Sequence, residues 1–425
     1  MEIKKISKGV ELALHSTNQF KTAVMALSII TPLDSKTSEK ALLTYLLSRT
    51  NGEYPTMLSM NRVLASLYGA SITPVIEKKG EAQILKLVLS ALDDRFTLDD
   101  EKVCEKCIDL LCSCLFRPDV EENGFKEENM EREKRLLIEK IESEKDEKRI
   151  YALNRMIEEM CCNEPYGKSK FGEKDRIEKL MGKEIFDVWK EVLISSPVQI
   201  SYIGSAPSDE IEKKIKDVFS KYTKENIPEI RTEFLVEAEE TKTVTEKQTV
   251  KQGKLVIGYR AGMTYDMDNY AAIRLMTAIF GSGTFSKLFM NVREKMSLCY
   301  YCSARLISSK GIIVVESGVE TENAQKALDA IRHELDEVRK GNFTDETIAD
   351  AKMSISDTLH SVNDSNLSIL SWFSSFCASG SFYTPDEIAE MINNVSREEI
   401  ILAANMITED TVFILESEKE EETDE

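Results

Sequence analysis

Apolar residues recur along this chain in a sheet-like spacing and a helix-like spacing, and the same succession of the two occurs twice. The run Gln83-Ile-Leu-Lys-Leu-Val-Leu89 reads as a strand, and so does Ile312-Ile-Val-Val-Glu-Ser-Gly318. Each follows a strand-like segment and a Lys-Gly turn, at Lys79-Gly80 and at Lys310-Gly311, which predicts a hairpin in both places. Helical spacing comes next, through Val103, Cys107, Leu110, Leu111 and Cys114 in one half and Ala327, Ile331, Leu335 and Val338 in the other. A second long helix opens at Phe125-Lys-Glu-Glu-Asn-Met-Glu-Arg-Glu-Lys134 and again at Phe343-Thr-Asp-Glu-Thr-Ile-Ala-Asp-Ala-Lys352. Both carry carboxylates in the first turn, where they complement the helix dipole. The halves also close alike: a helix near 184–192 leads to a strand at 198–204, and one near 397–406 leads to a strand at 411–416.

An ordered series of matches marks an internal duplication. The predicted fold class is α+β, with two homologous domains, each a mixed or antiparallel sheet packed against helices. Their expected bounds are 1–222 and 251–417, joined by a polar linker at 223–250 and followed by an acidic tail at 418–425.

Composition narrows the function classes. The 425 residues suit two cores, and 42% apolar content is enough to fill them. No apolar run approaches the roughly 18–20 residues of a membrane span. The opening Met-Glu-Ile-Lys-Lys-Ile has no signal-like apolar core, so a cytoplasmic location is expected. A net charge of −20 argues against nucleic acid or an anionic membrane as partner. An acidic chamber that draws in basic peptides and plain surface solubility both account for that charge. The nine cysteines are expected to be reduced thiols. Cys104, Cys107, Cys112 and Cys114 lie among Val103, Ile108, Leu110, Leu111 and Leu115, and one helix cannot bring four thiolates to one ion. They read as core, as do Cys161, Cys162, Cys299 and Cys302. No phosphate loop and no nucleophile elbow occurs.

The stretch 281–300 carries the chemistry. After the turn Gly281-Ser-Gly283, the residues Phe285, Leu288, Phe289 and Val292 form an apolar stripe that anchors a helix. Arg293 falls near its end and Tyr300 on the strand that follows. A guanidinium and a phenol held by one core can meet an oxygen that gains negative charge. The plainer alternative is a surface Arg293 paired with Glu294 and a Tyr300 half buried in the sheet.

With its Val-Arg-Glu-Lys followed by Leu-x-Tyr, the duplicated chain resembles the insulinase, pitrilysin and mitochondrial processing peptidase family throughout its length. The resemblance implies that Arg293 and Tyr300 contact a peptide near its scissile carbonyl. Ser297 stands where that family usually has Gly. The resemblance also implies a zinc site, His-x-x-Glu-His on a first-domain helix plus a distant Glu. The matching segment here is Ala41-Leu-Leu-Thr-Tyr-Leu-Leu-Ser-Arg-Thr50, with Ala41 and Tyr45 at the ligand positions and Thr44 at the base. Glu139 falls roughly at the distant ligand, but without imidazoles it reads as a helix-surface carboxylate. The three histidines, His15, His333 and His360, form no pair four residues apart.

The expectation is therefore a zinc-less subunit of a two-chain metallopeptidase, with no cofactor of its own and zinc only in the partner. It would not be a peptidase alone. Its partners would be a zinc-motif-bearing homologous subunit and a peptide or unfolded polypeptide, with no nucleic acid and no membrane; a homodimer is the other assembly considered. Within the family the chain resembles a zinc-motif-lacking, YfmF-type subgroup linked to elongation factor P modification. Two rivals stand beside this: a non-enzymatic peptide-binding or assembly protein that kept the fold, and an enzyme using Cys299 or Cys302 with His333 or His360.

Overall fold

The computed structural model of the chain describes residues 1–122, 124–220, 222, 224–238, 240–263 and 269–418. Two compact units divide it: 1–142 with 168–231 and 362–382, and 143–167 with 232–361 and 383–425. The first unit contains β1 (Glu2–Ser7), β2 (Val10–Ser16), β3 (Thr22–Pro32), β4 (Ser71–Lys79), β5 (Ala82–Leu92), the short pair β6 (Val120–Glu121) and β7 (Gly124–Phe125), and β8 (Val198–Gly204). Its main sheet has the order β1-β2-β8-β3-β5-β4. The second unit contains β9 (Lys242–Gln248), β10 (Gly253–Arg260), β11 (Cys299–Ile307), β12 (Ile312–Val319) and β13 (Thr408–Ser417), in the order β11-β12-β10-β13-β9.

The two sheets share one topology. A hairpin (β4–β5, β11–β12) lies beside a central strand (β3, β10), which pairs antiparallel with the closing strand (β8, β13). That closing strand runs parallel to an outer strand (β2, β9). The Lys-Gly turns supply the left-handed residue each hairpin needs, with φ +52° at Gly80 and +66° at Gly311. The expected α+β class and the duplication are both present.

In the first unit, helices Thr37–Arg49, Val103–Phe116 and Ser208–Phe219 cover one side of the sheet, and Gly182–Ser195 packs against Thr37–Arg49. The cysteines of Val103–Phe116 are buried in that core, and burial pushes the thiols of Cys107, Cys112 and Cys114 up to about 12. They pack as small apolar residues. Cys162 differs from its expected core placement: it is exposed, and Lys242 Nζ donates to its Sγ at 3.4 Å.

Each sheet takes its second cover from the other half of the sequence. Helix Asn366–Phe376 sets Ile369, Leu370 and Phe373 on Ala13, Val24, Ala26 and Ile203 of the first sheet. Helix Lys148–Met160 sets Ala152, Met156 and Met160 on Val256, Phe413 and Leu415 of the second. The spacing of these residues along one helix face suits that burial. With helices on both sides, β8 and β12 are buried at every position and show no strict polar alternation. Gly258 makes the second contact possible, because a Cβ there would lie 2.6 Å from the sulfurs of Met156 and Met160.

A buried ion cluster fixes the end of that helix. Arg260 of β10 donates Nε to Asp410 Oδ2 at 2.7 Å and a terminal nitrogen to Glu164 Oε1 at 2.8 Å. Lys310 Nζ, in the β11–β12 turn, lies 2.7 Å from Glu164 Oε2, and all four side chains are at most 7% exposed. Burial opposes the charge of Glu164, but its hydrogen bonds from Arg260 and Lys310 outweigh that cost and hold it below the usual carboxylate range.

The stretch expected as linker, 223–250, contains β9 and a buried lysine. Lys224 donates Nζ to the Leu193 carbonyl at 2.7 Å and is 2% exposed. The acidic tail lies outside the described residues from 419 onward. Among the described residues, no helix is long and apolar enough to cross a membrane.

Two stability measurements follow from this packing. Gly258→Val should lower the free energy of unfolding in urea by about 1–3 kcal/mol through overpacking against Met156 and Met160. An unchanged urea midpoint would show that the two methionines have room to move aside. Burial lowers Lys224 from the ordinary lysine value to about 8. Above that pH the unfolded chain holds the proton the folded chain has released, so stability from this residue rises with pH up to its unfolded value, by at most about 3 kcal/mol. Lys224→Met should flatten the urea midpoint between pH 8 and 10.5 relative to the parent; a parallel profile would contradict this account.

Candidate functional site

In the first unit, the helix Thr37–Arg49 is formed and deeply packed through Leu42, Leu43, Leu46 and Leu47. Ala41 is fully buried and has no donor atom to offer. The Thr44 hydroxyl donates to the Lys40 carbonyl of its own helix at 2.9 Å. Tyr45 packs partly buried against the core. Glu139 lies on the solvent face of the helix Glu127–Asp146, 61% exposed and 3.9 Å from Arg135 Nε. These four positions do not fit zinc: one lacks a ligand atom, one hydroxyl is engaged, and the carboxylate faces water. Among the described residues, no group of three or more His, Cys, Asp or Glu could hold a metal ion.

The carboxylate that helix Glu127–Asp146 does turn inward is Glu133, which sequence reasoning passed over. It accepts from Arg132 Nε at 2.9 Å and from Arg49 Nε of helix Thr37–Arg49 at 3.4 Å, with its side chain fully buried. Its place between buried Met130 and Leu137, three residues before and four after, was a readable signal.

In the second unit, a π-helix spans Leu288–Lys295, buries Leu288 and Val292, and ends on a bond from Met296 N to Asn291 O at 2.9 Å. Its wide turns are a geometry that recurs at functional sites. Asn291 Nδ2 donates to the buried Glu334 Oε2 at 2.8 Å, which ties this segment to the helix Ala324–Arg339. Arg293 stacks over the Phe289 ring at 4.6 Å and lies 3.5 Å from Glu294 Oε1, 40% exposed. Ser297 takes a left-handed backbone with φ +52°, which lets the chain turn from the π-helix into β11.

Tyr300 begins that strand 65% exposed, with its hydroxyl donating to Glu320 Oε1 at 3.0 Å. The bond to Glu320 raises the phenol above its ordinary value, so it stays a donor at neutral pH. The Arg293–Glu294 pairing of the plainer alternative is thus present, whereas Tyr300 stands out from the sheet and is not half buried in it. Among the described residues, no hydrogen bond or ion pair joins Arg293 to Tyr300. A β-bulge between Cys299 and Tyr301 shifts the register here. A hydrogen bond with Cys302 holds the Cys299 thiol below its usual range against burial, and the Arg293 charge acts in the same direction. No hydrogen bond links His333 or His360 to either thiol among the described residues.

Two like α+β units make up a fold that is shared with peptidase-like proteins. A family model described as the peptidase M16 inactive domain matches residues 182–355. The "Probable inactive metalloprotease YmfF" of Bacillus subtilis (strain 168) is 29% identical over 415 residues, covering 97% of both chains. The crystal structure of a conserved protein from Enterococcus faecalis V583 has a TM-score of 0.88 at 25% identity, covering 99% of each chain. That of a peptidase M16 inactive domain from Pseudomonas fluorescens shares the fold, with a TM-score of 0.78 at 16% identity over 98% of each chain. The chain is thus similar over nearly its whole length to inactive homologues of the M16 peptidase family, the insulinase and pitrilysin group.

The backbone at Ser297 sets a simple test. Ser297→Gly should stabilise the protein by about 1 kcal/mol, since Gly adopts positive φ without the Cβ clash. A urea midpoint that stays put or falls would mean that the bond from Ser297 Oγ to the Glu294 carbonyl at 3.3 Å outweighs the strain.

Proposed function

We propose that this chain is the zinc-less subunit of an insulinase-type metallopeptidase pair, lending Arg293 and Tyr300 to a peptide held against a zinc-bearing homologous partner. The carrying observation is the exposure of both side chains on a segment whose neighbours are firmly anchored. Leu288, Val292 and Asn291 fix the π-helix, while Arg293 and Tyr300 face solvent beside carboxylates that a substrate can displace. A protonated phenol and a guanidinium are donors suited to a peptide carbonyl that gains charge. The metal, when the pair is assembled, would polarise that carbonyl and activate water from the partner's side. Among the described residues, no group of three or more His, Cys, Asp or Glu competes for it.

A second reading has its own support. Arg293 already pairs with Glu294, and Tyr300 with Glu320, so both could be at rest as surface residues of a non-enzymatic peptide-binding or assembly protein with this fold. The association with elongation factor P modification belongs to that reading.

One experiment separates them. The chain alone should cleave no peptide, and with a zinc-motif-bearing homologous subunit it should restore turnover. Arg293→Ala and Tyr300→Phe should each lower that turnover by about tenfold or more, the scale of one lost transition-state hydrogen bond. Complex formation, followed by analytical ultracentrifugation, should be unchanged. Full turnover in both variants would favour the binding or assembly reading.

A further inference from the structure

Beyond Tyr300, strand β11 carries a second group of charged side chains that the Arg/Tyr segment does not use. The strand is an edge of its sheet, and successive side chains on it point to opposite faces. Two guanidiniums meet beside it on one carboxylate. Arg305 of β11 donates Nε to Glu316 Oε2 at 3.1 Å. Arg149, in the first turn of helix Lys148–Met160, donates Nε to Glu316 Oε1 at 3.0 Å. The Glu316 side chain is 5% exposed, whereas those of Arg305 and Arg149 are 47% and 50% exposed. One buried carboxylate thus holds two half-exposed guanidiniums, and their terminal nitrogens have no hydrogen-bond partner among the described residues.

Neighbouring side chains stiffen the arrangement. The Arg149 guanidinium lies 4.7 Å from the centroid of the Tyr301 ring, and Lys254 Nζ lies 5.9 Å from the same ring. Tyr301 pairs with Gly318 of β12, where a Cβ would fall 2.5 Å from the ring, so the bare backbone there lets the ring lie across the strand. Glu147 is the other carboxylate nearby, and its side chain accepts from Arg149 N at 3.3 Å. Arg149, Lys254 and Arg305 therefore outnumber Glu316 and Glu147, on a chain whose net charge is −20. Other arginines of this unit show the opposite ratio. Arg155 reaches Glu158, Glu159 and Glu246, and Arg260 reaches Glu164 and Asp410. At Glu316 two guanidiniums share one carboxylate.

We propose that Arg149 and Arg305 together bind a carboxylate presented by an extended peptide. The planar fork of a guanidinium matches the two oxygens of a carboxylate. One such group neutralises the local excess of a single positive charge, whereas a phosphate dianion would leave a negative charge uncompensated. The pair is open to solvent, where one ion pair contributes little, so the anion needs a longer chain with contacts of its own. Tyr300 and Arg305 are five residues apart, roughly 16 Å along a strand, which sets the carboxylate about five residues from the part of the peptide that Tyr300 meets. That the ligand is a peptide rests on the function proposed above for Arg293 and Tyr300; the preference for an anion rests on Arg149 and Arg305.

Three probes test this by calorimetric titration into the full-length chain at low salt. The first is acetyl-Leu-Ala-Ala-Ala-Ala-Glu-Ala-amide, the second has Gln for Glu, and the third is the Gln peptide with a free C-terminal carboxylate. At least one acidic probe should bind about fivefold or more tighter than the neutral one, and which of the two does so identifies a side chain or a chain terminus as the source. Arg149→Gln and Arg305→Gln should each weaken that binding by about fivefold, the scale of one exposed ion pair, and added salt should shrink the difference. Arg305→Gln decides the matter if Arg149→Gln, which also loses its contact with Tyr301, does not fold. Binding weakened by Arg305→Gln but not by Arg293→Ala would uphold the anion site and count against the shared substrate. Equal affinity for all three probes, or undiminished binding in Arg305→Gln, would overturn the proposal.

Discussion

The cluster of Arg260, Glu164, Lys310 and Asp410 is the constraint on which the second unit depends. Its two cations and two carboxylates are buried together, so their attraction is felt in a low effective dielectric and each desolvated charge has an opposite at hydrogen-bond distance. Glu164 lies just beyond helix Lys148–Met160, a piece of the first half of the sequence, whereas the other three belong to strands and a turn of the second sheet. The ion cluster therefore fixes where a helix from one half ends on the sheet of the other. Removing any one member would leave an uncompensated buried charge, a far larger loss than any single apolar contact in the same interface.

The covering helices meet the two sheets with different side chains. In the second, methionines close over valines and a phenylalanine, and Gly258 clears the space for them. In the first, helix Asn366–Phe376 meets a row of polar side chains and offers Ser374, with Cys377 just beyond its end, as hydrogen-bonding partners. Duplication preserved the order of strands, while the face-specific side chains diverged.

Divergence of the same kind separates the two candidate sites. The helix Thr37–Arg49 is packed through its apolar face, with Ala41 buried and the Thr44 hydroxyl bonded to its own helix, and Glu133 is taken up by Arg49 and Arg132. The π-helix and β11 kept an anchored frame with its guanidinium and phenol outside.

Much of this was legible in the amino-acid sequence. Hairpins with Lys-Gly turns, paired long helices and closing strands follow from local periodicity and turn chemistry, and the cysteines of Val103–Phe116 followed from their apolar neighbours. Ala41 has no donor atom in any fold, and that much could be read from the sequence. The burial of Glu133 and Lys224, the strand at 242–248, the π-helical path to Arg293 and the bond from Tyr300 to Glu320 needed the folded chain. So did the exchange of helices and the cross-strand row of Lys5, Glu11, Gln199, Ser28 and Lys86. Periodicity reports which face of an element is apolar, a property of residues a few positions apart. Which distant element covers that face, and which buried charge finds its opposite, is decided by contacts between residues tens to hundreds of positions apart, and only tertiary packing brings those together.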